Sequence, residues 1–114
     1  MSEFNFAVPI LPGKTGAWRQ AVAEMKGARS NEYRESRKKL GIRREQASLQ
    51  QTPHGDMVVV HMDATNPADV MSKMLAPSSP FDKWFLETLL VGVHGLDPKG
   101  PPPPPTEVVL DYKG

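Results

Sequence analysis

Three histidines are the only imidazoles in a chain of 114 residues that contains no cysteine. Without a thiolate, a disulfide framework, a thiolate zinc site, an iron–sulfur cluster and a cysteine nucleophile are all excluded. Proton transfer near neutral pH therefore falls to His54, His61 or His94. His54 lies in Pro53-His54-Gly55-Asp56, whose composition is that of an exposed turn. His61 lies where Val58, Val60 and Met62 alternate with Val59, His61 and Asp63, so it shares a strand face with polar and apolar neighbours. His61 and Asp63 have the i,i+2 spacing of two metal ligands, but no third ligand accompanies them and no metal is expected. His94 stands beside Gly95 at the end of an apolar segment, where it either caps a last helical turn or serves as a ligand. Gly13-Lys14-Thr15 has the strand-to-helix setting of a phosphate loop. However, Val8 occupies the position where that motif needs its first glycine, so a capped helix start is expected. No paired carboxylates and no Ser/His/Asp set stand out, so the catalytic residues stay unassigned and no cofactor is expected.

The elements that would position these groups follow from hydrophobic period. Glu3–Ile10 alternates, with Phe4, Phe6, Val8 and Ile10 on one face, and reads as a strand. Trp18, Ala21, Val22 and Met25 form one stripe of a helix from Thr15 to Gly27, for which Thr15 can supply the cap. A second helical stretch runs from about Asn31 to Leu40; the two are one kinked helix or two. Ile42–Thr52 is a polar strand, the pattern of a sheet edge. It turns at Pro53–Asp56 into Met57–Ala64, the clearest strand of the chain, and the two form a hairpin. Asn66-Pro67 and Ser79-Pro80 are helix starts with proline at the first helical position. They open helices to about Leu75 and from Pro80 to about Val93. Asp97–Pro105 is a linker with five consecutive prolines, a polyproline rod of about 15 Å. Thr106–Tyr112 alternates again as a last strand, with Val108, Leu110 and Tyr112 on one face.

This order is β-α-β-β-α-β, so the expected fold is α+β and ferredoxin-like: a four-stranded antiparallel sheet with helices on one face. Residues 1–114 are expected to form a single α+β domain, with 97–105 as the linker before the last strand. The other sheet face is left open. Asn5, Gln46, Ser48 and His61 fall together on it and make a polar group in an otherwise apolar surface, a candidate pocket for a small organic ligand. The open face lacks the aromatic platforms that RNA-binding sheets need, so no nucleic-acid partner is expected.

Pro12-Gly13-Lys14 after the first strand, the Trp18-bearing helix and Leu40-Gly41-Ile42 entering the second strand are the first of several topological marks. The Thr52–Asp56 turn and Ser78-Ser79-Pro80-Phe81 complete them. With these marks the chain resembles the dimeric α+β barrel superfamily, which includes antibiotic-biosynthesis monooxygenases and heme-degrading enzymes. It looks most like small bacterial members of about this size. The polyproline insert before the last strand departs from that pattern. The resemblance implies a homodimer joined through its sheet faces, with a small organic ligand between them. An alternative it implies is a cofactor-independent monooxygenase-like enzyme, and a further one a heme protein. For the last, the Asn, Trp and His types used by heme-degrading members are present as Asn5, Trp84 and His94. Trp84 and His94 therefore join the candidate pocket residues, although the motif register places Phe85 near the expected ligand and makes Trp84 a core residue.

Composition narrows the remaining classes. Fourteen basic against thirteen acidic residues give a net charge of +1, too small to argue for a polyanionic partner. The basic residues do cluster between Lys26 and Glu45, where a solvated helix face is expected. No apolar run approaches the roughly 20 residues of a membrane span, and the first residues lack a basic, apolar leader. A cytoplasmic location and no membrane partner are expected.

Overall fold

The alternating N-terminal segment forms strand β1, Ser2–Pro9, which packs Phe6 and Val8 inward and leaves Asn5 and Ala7 on the opposite face. The structure is a computed structural model and describes residues 2–114. Helices α1 (Thr15–Lys26) and α2 (Ser30–Lys39) are separate, with Gly27–Arg29 between them. Strands β2 (Ile42–Thr52) and β3 (Gly55–Ala64) form the hairpin, followed by helix α3 (Pro67–Leu75) and helix α4 (Pro80–Phe85). Ser79 caps α4: its Oγ accepts the Asp82 N–H at 3.2 Å. Thr15 does not cap α1 as expected; its hydroxyl donates to Asp56 Oδ2 at 2.5 Å and ties the helix start to β3.

The strands make an antiparallel sheet in the order β1-β3-β2, with β3 central. The polar strand β2 is an edge, as its composition requires. Val58, Val60 and Met62 of β3 face the helices and join Phe6, Val8, Ala21, Val70 and Leu89 in the core. Burial of the larger of these side chains, about 1.5–3 kcal/mol each, holds the helices to one face.

Two expectations about the C-terminal third are corrected. Among the described residues the sheet has three strands, because Thr106–Tyr112 pairs along neither edge. Prolines carry no N–H, so Thr106 is the first residue after the rod able to donate to β1. It does so once, to the Asn5 carbonyl at 2.7 Å, and the arm beyond it is exposed: Val108 by 69%, Leu110 by 87% and Tyr112 by 85%. The last helix is also not α-helical to Val93. After Phe85 it widens into a π-helix, Leu86–Val91, in which Gly92 N–H donates to Glu87 O and His94 N–H to Leu89 O, five residues back. A Cβ at Gly92 would stand 2.7 Å from the Thr88 carbonyl oxygen, so the close approach requires glycine there.

Candidate functional site

The register of the sheet sets a row of polar side chains across its open face. Asn5 of β1 stands opposite His61 of β3, which stands opposite Gln46 of β2. The next row on the same face is Ala7, Val59 and Ser48. Period two puts all six on the side away from the helices, because their strand neighbours Phe6, Val58, Val60 and Met62 fill the core. The sequence-expected group of Asn5, Gln46, Ser48 and His61 is thus brought onto one surface.

His61 is held from both ends. Its Nδ1 lies 2.7 Å from Asn5 Oδ1, and its Nε2 lies 3.1 Å from Glu3 Oε1. The second contact is an ion-pair distance to an exposed carboxylate. Asn5 can serve Nδ1 in either state of the ring: its oxygen accepts from an imidazolium, and after a half-turn of the amide its NH2 donates to a neutral ring. Gln46 and Ser48 are exposed beside it and add an amide and a hydroxyl, while Val59, 39% exposed, supplies an apolar floor. The surface therefore offers donors and acceptors in mixed order, one carboxylate, and a small apolar platform. Among the described residues, no three His, Asp or Glu side chains are grouped to hold a metal ion.

Glu3 escaped sequence reasoning. It sits at the mouth of β1, one residue before an aromatic, and only the diagonal reach across to β3 makes it a partner of His61.

Trp84 and His94 do not join this surface. Both lie in the helical layer on the other side of the sheet. Trp84 packs at a tilt against Phe81, with ring centroids 5.5 Å apart, and carries the Arg29 guanidinium 4.2 Å above its own ring. His94 is buried and donates Nδ1–H to the Pro9 carbonyl at 2.8 Å, which ties the end of the π-helix to the end of β1. Burial lowers its pKa below the ordinary histidine value, against the opposing pull of that hydrogen bond. The apolar cavity beside it, between sheet and helices, is about 60 Å³. Asn5 stands on the opposite face of the sheet, so the three residue types named for heme are not grouped in one place.

The helical face holds a polar cluster that the sequence did not announce. Arg37 is buried between the rings of Tyr33 and Phe85, 4.8 and 4.5 Å from their centroids. Its Nε donates to Glu45 Oε1 at 2.8 Å and its Nη2 to Oε2 at 3.3 Å, while the Tyr33 hydroxyl donates to the same carboxylate at 2.6 Å. Burial, reinforced by the Glu45 charge, raises the Tyr33 pKa far above its ordinary value. Ser36 extends the network by donating to Asp82 at 2.5 Å. The cluster fastens α2 to β2 and α4; a glutamate in step with Ala47 and Leu49 on the inward face of β2 was its one sequence signal.

No protein-family model matches the sequence, and no curated protein matches it. Among solved structures, the crystal structure of an L-rhamnose mutarotase from Formosa agariphila superposes with a TM-score of 0.64. The alignment covers 99% of this chain and 100% of that one, at 12% sequence identity. The likeness shows the fold: an α+β protein with an antiparallel sheet and helices, of the ferredoxin-like class. Among the described residues, no helix is long and apolar enough to cross a membrane.

Proposed function

We propose that the whole chain is one α+β unit that forms half of a homodimeric barrel in the cytoplasm. In it, two open sheet faces enclose a small hydroxylated organic molecule bound by Asn5, His61, Gln46 and Ser48. The observation that carries this reading is the polar row itself. An imidazole and two amides stand in register, with a hydroxyl in the next row, on the sheet face opposite the helices, where Gln46, Ser48 and Val59 are exposed. Mixed donors and acceptors over the Val59 floor suit the alternating hydroxyls and C–H groups of a sugar or small polyol. A protein of the same fold that bears the name of an L-rhamnose mutarotase supports that ligand class. Light scattering should give a particle of twice 12.6 kDa. A panel of monosaccharides and small polyols should raise the melting temperature of the wild-type protein and leave that of His61→Ala unchanged. A monomer at high concentration, or a shift of the same size in the variant, overturns the reading.

One observation favours a second reading, in which the same site is an enzyme. His61 is hydrogen-bonded to an amide that can turn over and stands 3.1 Å from a carboxylate, the kind of setting in which an imidazole passes a proton. Opening and closing a cyclic hemiacetal needs that proton traffic. Exchange between sugar anomers, followed by NMR, should quicken with the wild-type protein and return to the uncatalysed rate with His61→Gln. Unaltered exchange for every sugar that binds would leave a binding protein. The monooxygenase-like alternative rests on the family resemblance alone.

A further inference from the structure

Neither the core nor the polar row of the sheet uses the run Pro101–Pro105. Proline fixes φ at about −65° and has no N–H, so such a run holds a left-handed polyproline helix. Residues three apart in it share an edge and stand about 9 Å apart. Pro101 and Pro104 therefore lie on one edge, Pro102 and Pro105 on a second, and Pro103 on the third. Pro103 is half-buried, whereas the other four are exposed. The rod thus turns one edge to its own domain and presents two. Pro102, Pro103 and Pro105 border a groove of about 300 Å³ lined by Phe4, Phe6 and Met71, which leaves room beside the second edge. Among the described residues, no backbone N–H donates to the carbonyls of Pro101–Pro105, so these acceptors are unused.

Both ends of the rod are fixed. At its head, Asp97–Gly100 closes a turn: Gly100 N–H donates to the Asp97 carbonyl at 2.9 Å, and Lys99 N–H to Asp97 Oδ1 at 2.9 Å. At its tail, Thr106 N–H donates to the Asn5 carbonyl at 2.7 Å. A stiff rod held in this way has little entropy left to lose on binding. The two ends differ in charge. Lys99 at the head is exposed and makes no ion pair among the described residues. Glu107, exposed as well, follows the tail. Lys99 stands three residues before Pro102, and Pro102 three before Pro105. A polyproline helix offers its rings and carbonyls much alike in either direction, so these charges are what give the rod a direction.

We propose that Lys99 and Pro101–Pro105 form a docking ridge for a different protein, which reads the rod with an aromatic-walled groove. One slot of that groove takes Pro101 and Pro102, and the next takes Pro104 and Pro105. A carboxylate beyond the first slot meets Lys99. The proline rings enter such slots without stranding a donor, because they carry none. Tyrosine and tryptophan donors on the groove wall reach the unused carbonyls. A groove with its acid at the other end would set that acid against Glu107, so the charges select one orientation. The ridge contains no residue of the His61 row, and its use requires neither the dimer nor the sugar.

The test titrates the full chain, isotope-labelled for NMR, with an SH3 domain that selects a cation three residues ahead of its first proline slot. Saturable shifts are expected at the amides of Lys99, Gly100 and Thr106. Lys99→Glu should weaken binding about tenfold or more, and an SH3 variant with lysines in place of its pocket acids should recover it. Pro102→Ala combined with Pro105→Ala should weaken binding by about the same factor. Lys99 lies in an exposed turn, so Lys99→Glu should keep the wild-type melting temperature and stand as the test should the double proline variant unfold. The absence of saturable shifts at millimolar SH3 domain, or shifts centred away from the rod, overturns the docking ridge. An affinity indifferent to Lys99→Glu overturns the acidic partner and the assigned direction.

Discussion

The two faces of the sheet differ residue by residue along the same strands. Val58 is 2% exposed and its neighbour Val59 is 39% exposed. Glu45 is clamped by Arg37 and Tyr33, whereas Gln46, the next residue, stands open beside His61. The histidines repeat the contrast: His94 is buried neutral with a backbone carbonyl as partner, and His61 is half-exposed between two side chains. Among the described residues no buried side-chain nitrogen or oxygen lacks a partner. Polarity there serves architecture. On the open face the polar groups retain unused donors and acceptors, and they are aligned in rows. That difference separates a structural ion pair from a binding surface more reliably than residue type does.

Substitutions on each face can break this contrast. The largest effect is expected from Glu45→Ala, which strands the Arg37 guanidinium in an apolar sandwich. Loss of one partner of a buried pair costs about 3–5 kcal/mol, read as a lower urea midpoint with an unchanged slope. Val58→Ala should cost about 2 kcal/mol for two methyl groups and the cavity they leave. The next effect is a pH dependence. His94 has a lower pKa folded than unfolded, so the stability it permits is present above the unfolded value of about 6.5 and declines as pH falls below it. The melting temperature should drop between pH 7 and 5, and the drop should be smaller in His94→Gln; equal drops would mean that His94 is not held neutral. The smallest effects belong to the open face. Val59→Ala and His61→Ala, measured in protein dilute enough to be monomeric, should each change stability by no more than about 0.5 kcal/mol. The cost of Val59→Ala should grow with protein concentration as a second copy covers it. A cost matching that of Val58→Ala at every concentration would show that the open face is not open.

The parts of the fold that the sequence reveals are those set by local period. The alternation of β1 and β3, the stripe of α1, the proline-led starts of α3 and α4 and the edge character of β2 all follow from side chains a few residues apart. The grouping of Asn5, His61, Gln46 and Ser48 was legible because strand parity alone decides which face each residue takes. Glu3 and the Arg37–Glu45–Tyr33 cluster were not legible, since they depend on diagonal and interlayer distances that no local pattern encodes. The basic run around Arg37 read as solvent-facing because charge counts cannot reveal which one of eight cations turns inward. Thr106–Tyr112 exposes a different limit. Alternation marks a segment built to be covered on one side, but it does not say which molecule provides the cover.

The π-helix after Phe85 has a consequence for chain length. Each bond that reaches back five residues instead of four accommodates one residue more than an α-helical turn holds. Removing a single residue between Thr88 and Gly92 would let the segment relax to an ordinary α-helix with its ladder intact. The residues after the deletion would keep nearly their present bearing about the helix axis, because the wide turn absorbs the extra residue locally. His94 would stay beside the Pro9 carbonyl and Val93 in the core. The widened turn is thus a splice point, where the chain can lose a residue without losing its register. Such a deletion should leave both helical content and the His94–Pro9 tie nearly unchanged.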